Sequence, residues 1–389
     1  MPTSVRLGSD VLLCSSRLKG TRVGVVCNHA SIDSGYLHII DRVATCEGVT
    51  LAAIFGPQHG FRSDVQDNMV ETPHGDDARR RVPVYSLYSE TREPTAEMLR
   101  GIDVLLIDLQ DIGARIYTYI YTMANCMRAA ARYRVPAIVC DRPNPIGGEA
   151  VGGATLQRGW ESFVGQFPIP MRHGMTIGEL AKLFNDAFGI GASLEVVPME
   201  GWNRAMYADA TGLPWVMPSP NMPTLDTAIV YPGTVLFEGT MLSEGRGTTR
   251  PFELVGAPWI EAERFAAAMN GAGLAGAYFR PAGFEPTFQK HAKQPCGGCQ
   301  IHVTDRDAFE PVLTGVALID MFRRFDDVRF EWRQPPYEYE HDKMPIDILA
   351  GSDMLRQQIE TGVPLREIAA SWKEDEAAFR RLREPYLLY

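Results

Sequence analysis

The 389-residue chain contains no run of about 20 consecutive apolar residues, the length an α-helix needs to cross a bilayer, so no segment reads as a membrane span. Its first residues, MPTSVRLGSDVLLCSS, lack an apolar core followed by a small-residue cleavage site, and the chain as written is expected to be cytoplasmic. A basic excess is missing too. Lys and Arg total 38 against 48 Asp and Glu, a net charge of −10, which removes the usual electrostatic footing for nucleic acid or an anionic membrane surface. The one tight basic run, Arg79-Arg80-Arg81, follows Asp76 and Asp77 and reads as a solvated loop. Cysteine is sparse and odd in number, 7 residues scattered along the chain, which points to reduced thiols instead of a disulfide framework. Cys296-Gly-Gly-Cys299 has the spacing of half a zinc site, but no second pair accompanies it and His302 is a weak third ligand. Glycine-rich cofactor cradles are absent as well. The first strand is followed by NHASIDSG, with neither G-x-G-x-x-G nor G-x-x-x-x-G-K-[ST] spacing, and Gly189-Ile-Gly191 follows a helix. No H-E-x-x-H occurs, and neither an organic cofactor nor a metal is expected.

What is present is an ordinary globular composition, 45% hydrophobic and 22% charged, at a length that favours two domains. The first half alternates short β-branched runs with helical patterns, the signature of a parallel sheet wrapped by helices. Strands are predicted at Arg22–Asn28, Thr50–Phe55, Val82–Leu87, Asp103–Leu109 and Val135–Cys140, with an edge strand at Leu194–Val197. Apolar residues at helical spacing fill Tyr117–Arg134, and Thr176 with Glu179 three residues on marks the start of another helix. The texture changes after about Trp202. Leu213–Gly256 is rich in Pro and Gly, is predicted to lack regular structure, and is expected to line a cleft. Beyond it, helices near Glu261–Asn270, Ala308–Phe325 and Pro364–Arg383 and strands near Ala277–Arg280 and Cys299–Thr304 read as α+β. The expected architecture is a Rossmann-like α/β domain over residues 1–205 and a smaller α+β domain over 206–389, with the cleft between them.

Ligands of parallel α/β sheets bind beyond the carboxyl ends of the strands. Four such ends here carry polar loops: Asn28-His29-Ala30-Ser31, Gly56-Pro57-Gln58-His59-Gly60-Phe61-Arg62, Asp108 through Arg115, and Asp141-Arg142-Pro143-Asn144-Pro145. That density of hydrogen-bonding groups exceeds what turns need. Arg172-His173-Gly174 precedes a helix on the same edge, and the later segments contribute Asn221, Tyr231, Glu238 and Ser243-Glu244-Gly245-Arg246.

These residues sit in longer motifs. LAAIFGPQHGFR, DVLLIDLQDIGARIYTYIYTM, DRPNPIGG, FPIPMRHGMTIGEL, LPWVMPSPNMPT, VYPGTVLFEGT, SEGRGTTRPFELVGAPW and CQIHVTD resemble the exo-β-N-acetylmuramidases of the NamZ type, in unchanged order from about Arg22 to the C-terminus. The resemblance implies a Rossmann-like domain, a smaller second domain, no organic cofactor, and release of N-acetylmuramic acid from the non-reducing ends of peptidoglycan fragments. The partner it implies is a small muropeptide or amino sugar. One position departs from the pattern. The family commonly has GPEHG where this chain has GPQHG, and Gln58 keeps the shape of Glu but cannot give up or hold a proton.

Glycoside hydrolysis normally needs two carboxyl groups, one protonating the leaving oxygen and one serving as nucleophile or base. With Gln58 unable to serve, the catalytic candidates are His59, Glu71, Asp108, Asp111 and Glu244. The substrate-binding candidates are Asn28, Gln58, Arg62, Arg115, Tyr117, Asp141, Arg142, Asn144, Arg172, His173, Asn221, Tyr231 and Arg246. Arg62, Arg142, Arg172 and Arg246 are the four that could hold the lactyl carboxylate of muramic acid. Two other classes stay open on the residues: a sugar-binding protein that has lost catalysis, and a metal-dependent hydrolase using His29, Asp33, His59 and Asp108.

Overall fold

Short, apolar, β-branched runs form the strands of the main sheet, as the pattern predicts. In the computed structural model, which describes residues 5–67 and 69–389, these are β1 (Arg22–Cys27), β2 (Thr50–Gly56), β4 (Val82–Ser86), β5 (Val104–Asp108) and β6 (Ala137–Cys140), to which the polar Gly-Asp-Asp of β3 (Gly75–Asp77) adds a short strand that the pattern does not predict. A separate two-stranded ribbon, β7 (Gly152–Thr155) and β8 (Pro170–Arg172), precedes β9 (Leu194–Val197). The seven-stranded sheet has the order β3-β4-β2-β1-β5-β6-β9, parallel throughout except for β3, which runs antiparallel to β4. Both faces are covered. In β5, Leu105 and Ile107 enter the core on one side while Val104 and Leu106 enter the core on the other. Helix Tyr119–Tyr133 packs on the first side, and helix Ile177–Asp186 opens with the predicted Thr176–Glu179 capping box.

The second half holds an antiparallel sheet of β10 (Leu254–Ala257), β11 (Ala277–Phe284) and β12 (Cys296–Val303) in the order β10-β12-β11. Helix Ala262–Gly271 packs on it, and helix Pro311–Phe325 packs on that helix through the stacked rings of Phe265 and Phe322, 3.9 Å apart at their centroids. An α/β sheet followed by a smaller α+β unit is therefore the architecture. One apolar core runs without a break from Leu105 and Ile120 in the first half to Phe237, Phe265 and Phe322 in the second.

Two expectations are corrected. Leu213–Gly256 contains a helix, Leu225–Thr234, that tightens into a 3₁₀ turn, Val235–Gly239, and it ends in β10. Thr227 through Thr234 are all buried, so this helix has no polar face and shows no amphipathic period. The charged C-terminal stretch forms two helices, Leu365–Ser371 and Lys373–Arg383, that meet at Trp372. Cys296 and Cys299 both lie in β12, three residues apart, so the alternation of the strand turns their thiols to opposite faces.

The buried helix crosses Pro311–Phe325 with backbone against backbone. A Cβ on Gly233 would lie 1.8 Å from the Pro311 carbonyl oxygen, and one on Gly315 would lie 2.3 Å from that of Gly233. Gly233→Ala is therefore expected to destabilise the protein by about 1–3 kcal/mol, the usual cost of overpacking. Urea unfolding with an unchanged m-value would measure it.

Candidate active site

The turn after β2 carries the first wall of a narrow chamber. His59 and Gly60 adopt φ values of 70° and 77°, and a Cβ on Gly56 would come within 2.7 Å of the Phe61 nitrogen, so the chain folds tightly back and presents Gln58 and His59 side by side. The His59 Nδ1–H donates to the Val65 carbonyl at 2.7 Å, which leaves Nε2 as an acceptor. Burial pushes the imidazole down to about 4, so it is neutral at physiological pH. Aromatic rings form the second wall. Tyr117, Tyr119, Tyr231 and Phe252 interlock edge to face with centroids 4.7–5.9 Å apart. Ser219 and Asn221 line the same chamber, Asn221 being held by Nδ2 donating to the Gln66 carbonyl at 2.9 Å.

Two carboxylates face this space, and their surroundings separate them. Glu238, on the 3₁₀ turn, accepts hydrogen bonds from Arg246 Nη2 at 2.6 Å and from the Tyr337 hydroxyl at 2.7 Å. Burial alone would raise its pKa, but the Arg246 charge, these two bonds and Lys290 outweigh it and hold the carboxyl below its ordinary value. Glu338 lies in the turn closed by the Tyr337–Glu340 bridge, with φ at 44°, and accepts from the Tyr88 hydroxyl at 3.0 Å. Burial, reinforced by the negative charge of Glu238, pushes Glu338 up to about 7, despite hydrogen bonds from Tyr88 and Gln58. Gln58 itself is oriented by the Thr118 hydroxyl, which donates to Oε1 at 3.0 Å and so leaves the amide NH₂ for Glu338. One carboxyl that keeps a proton near pH 7 and one that does not therefore share one chamber, separated by their environments.

Comparison with known proteins decides the family. Models of exo-β-N-acetylmuramidase NamZ match consecutive parts of the chain, the N-terminal one at residues 23–226 and the C-terminal one at 229–389. The chain is also 45% identical over 387 residues to the peptidoglycan β-N-acetylmuramidase NamZ of Bacillus subtilis strain 168, covering 99% of this chain and 91% of that protein. The protein belongs to the NamZ family. Two solved structures of DUF1343 family proteins from Bacteroides fragilis NCTC 9343 share its fold. One has a TM-score of 0.90 at 35% identity and covers 99% of both chains. The other has a TM-score of 0.77 at 29% identity, covering 100% of this chain and 99% of that one.

Of the residues singled out from sequence, Gln58, His59, Tyr117, Asn221, Tyr231 and Arg246 line the NamZ chamber. Glu244 stands one shell behind, bound to Arg246 Nε at 3.2 Å and to Lys290 Nζ at 2.6 Å. Glu71 lies outside, half exposed, against Arg92 at 3.2 Å. Asp111 and His173 face each other at 3.4 Å, both buried, with Asp111 also accepting from the Gly113 amide.

The remaining candidates lie outside this chamber. Asp108 and Arg142 form a buried pair, Nη2 to Oδ2 at 3.1 Å, and Asn28 bridges Ser31, Gln110 and Pro218, while Arg142 and Gln110 also line a separate cavity of about 120 Å³ with Ala30, Ile32 and Trp215 beyond the carboxyl ends of the strands. Asp141 accepts from Thr176, Gly178 and Tyr389, and Asn144 bonds Met175 and Ile146, so both anchor the start of helix Ile177–Asp186 and its approach. Arg172 bonds the Ile146 carbonyl and Tyr207 beside a different cavity, and Arg62 is exposed, 3.7 Å from Asp77. Arg115 has no exposure and donates to the carbonyls of Ala154, Ile169 and Leu349. His29, Asp33, His59 and Asp108 do not converge, and among the described residues no three His, Cys, Asp or Glu side chains are grouped to hold a metal ion.

Glu338 and Lys290 had been missed entirely, and Glu238 had been noted only as one polar group among several. The repeated Tyr-Glu-Tyr-Glu of residues 337–340 is the sole local sign of the first. Because Arg115 serves the fold, Arg115→Met is expected to lower unfolding free energy by about 3 kcal/mol through stranded buried carbonyls. Activity per folded molecule should stay within about twofold, and chemical denaturation with an assay at matched folded concentration would separate the two effects.

Proposed function

We propose that this protein is an exo-β-N-acetylmuramidase that removes N-acetylmuramic acid from the non-reducing end of peptidoglycan fragments, and that it works in cytoplasmic cell-wall recycling. The 7 free cysteines suit a reducing compartment, and among the described residues no helix is long and apolar enough to cross a membrane. The observation that carries the reading is the divergence of Glu338 and Glu238 within one chamber of a NamZ-family chain.

Glu338, protonated up to about pH 7, gives its proton to the glycosidic oxygen as the C1–O bond breaks, and the departing sugar leaves as an alcohol. Ionised Glu238 stabilises the positive charge that grows at C1. Water adds to C1 with neutral His59 Nε2 as the first acceptor of its proton, which returns to Glu338 for the next cycle. Of the four arginines considered for the lactyl carboxylate, Arg246 alone lines the chamber. Its charge is balanced by Glu238 and Glu244, so an anionic sugar is best received while Glu338 is protonated. The chamber encloses only about 50 Å³, so the incoming ring has to part the Tyr337–Glu340 turn from the Gln58–His59 turn.

Glu338→Gln is expected to reduce kcat/KM about 100-fold or more on a muramyl disaccharide. In the unmodified protein the acid must be protonated, so kcat/KM should be level below pH 7 and fall as pH rises through the Glu338 pKa. A pH profile without that alkaline limb, or one that persists in Glu338→Gln, rejects the assignment.

Gln58→Glu supplies the test of catalytic competence. A carboxylate beside Glu338 raises its pKa by like-charge repulsion, so the alkaline limb should move up while activity near neutrality stays similar or falls. If the natural chain turns over no muramide and Gln58→Glu creates activity, the protein is a sugar-binding member that has lost catalysis.

A further inference from the structure

Glu338 borders two spaces. One side faces the inner chamber, and the other faces an open groove of about 570 Å³ on the outer surface. Three features of this groove are those of a sugar site. The Tyr339 ring stands at its lip, half exposed, with the Arg92 guanidinium over it at 4.6 Å and also over Tyr88 at 4.3 Å, which fixes the ring's orientation. Phe163 lines the groove beside them. On the opposite side Arg128 Nη1 donates to the amide oxygens of both Asn125 and Gln166, at 2.5 and 2.6 Å. A guanidinium can only donate, so the amide oxygens face Arg128 and the two NH₂ groups are left as donors to the groove. An aromatic face combined with pre-oriented amide donors matches a pyranose ring bearing hydroxyl and acetamido oxygens.

We propose that this outer groove holds the leaving sugar, an N-acetylated hexosamine linked to the muramic acid through its ring hydroxyl, with Glu338 at the junction where the glycosidic oxygen must lie. The assignment rests on the muramidase reading and adds the direction in which the glycan runs: the terminal muramic acid inward, the rest of the fragment outward past Tyr339. It also explains why the acid stands on a turn between two cavities, since a proton donor to the leaving oxygen has to reach the boundary between the sugar that stays and the sugar that departs.

The test compares two substrates that share the muramic acid and differ in what leaves: the muramyl-β-1,4-N-acetylglucosamine disaccharide, and N-acetylmuramyl β-fluoride, whose leaving atom is too small to occupy the groove. The quantity read is the ratio of kcat/KM on the disaccharide to kcat/KM on the fluoride. Tyr339→Ala is expected to lower this ratio about tenfold, in the range of a lost stacking contact, mainly through KM for the disaccharide. Tyr339→Phe, which keeps the ring and loses the hydroxyl bond to Glu71, should hold the natural ratio. Gln166→Ala should lower the ratio independently. Tyr339 is half exposed, so these variants are expected to fold, and circular dichroism verifies it. A ratio unchanged in both Tyr339→Ala and Gln166→Ala, or equal losses on the two substrates, overturns the groove assignment while leaving the muramidase reading intact. Failure of the natural protein to cleave either substrate overturns both.

Discussion

A buried network of two cations and two carboxylates underlies the site. Arg246 reaches Glu238 at 2.6 Å and Glu244 at 3.2 Å, and Lys290 closes the chain on Glu244 at 2.6 Å. Burial works against the charge of Lys290 and lowers its pKa, and the neighbouring carboxylates restrain that fall. Such a network is no source of stability in itself, since desolvating each charge offsets most of the attraction, but removing one member costs about 3–5 kcal/mol because the others are left unmatched. Its value here is directional. With Glu238 fixed as an anion, a further negative charge in the same dry space is unfavourable, and Glu338 is the group with the freedom to answer by keeping a proton. Burial of Glu338 supplies the larger part of that preference, and the Glu238 charge adds to it.

The same logic accounts for Gln58. Its amide is held at one end by Thr118 and offers an N–H to Glu338 at the other. A glutamate there would compete with Glu338 for one proton, whereas glutamine donates permanently and leaves Glu338 as the one carboxyl at that junction. The departure from GPEHG is chemically coherent: it removes one titration from the chamber and leaves the remaining one simpler.

Much of the fold was legible because burial writes itself into short apolar strands and capping boxes, as at Val104–Asp108 and Thr176–Glu179. The helix at Leu225–Thr234 was hidden for the opposite reason: a segment buried on every side has no period, and Pro232 disguised it further. At the site, the strand-end loops and the Ser-Glu-Gly-Arg motif led to Gln58, His59 and Arg246 in the chamber wall. They also led to Asp108, Asp141 and Arg115, polar groups whose partners are other parts of the same protein. Sequence displays charges and conceals their partners. Glu338 lay beyond reach because its chemistry comes from Glu238, Tyr88 and Gln58, which lie 100, 250 and 280 positions away in the chain, and no local pattern carries that meeting.

The unbroken core between the halves has a consequence for how the protein comes into being. Helix Tyr119–Tyr133 and its sheet are synthesised before Tyr231, which packs against Tyr117, and Phe252, which packs against Tyr231, exist to continue that apolar core. During translation the emerging first half must wait with part of its interior open to water, and exposed surface of this kind is what attracts chaperones and seeds aggregates. A chamber assembled from both halves therefore comes with an obligation in time: it and the finished interior appear together, only after Glu338 has been made.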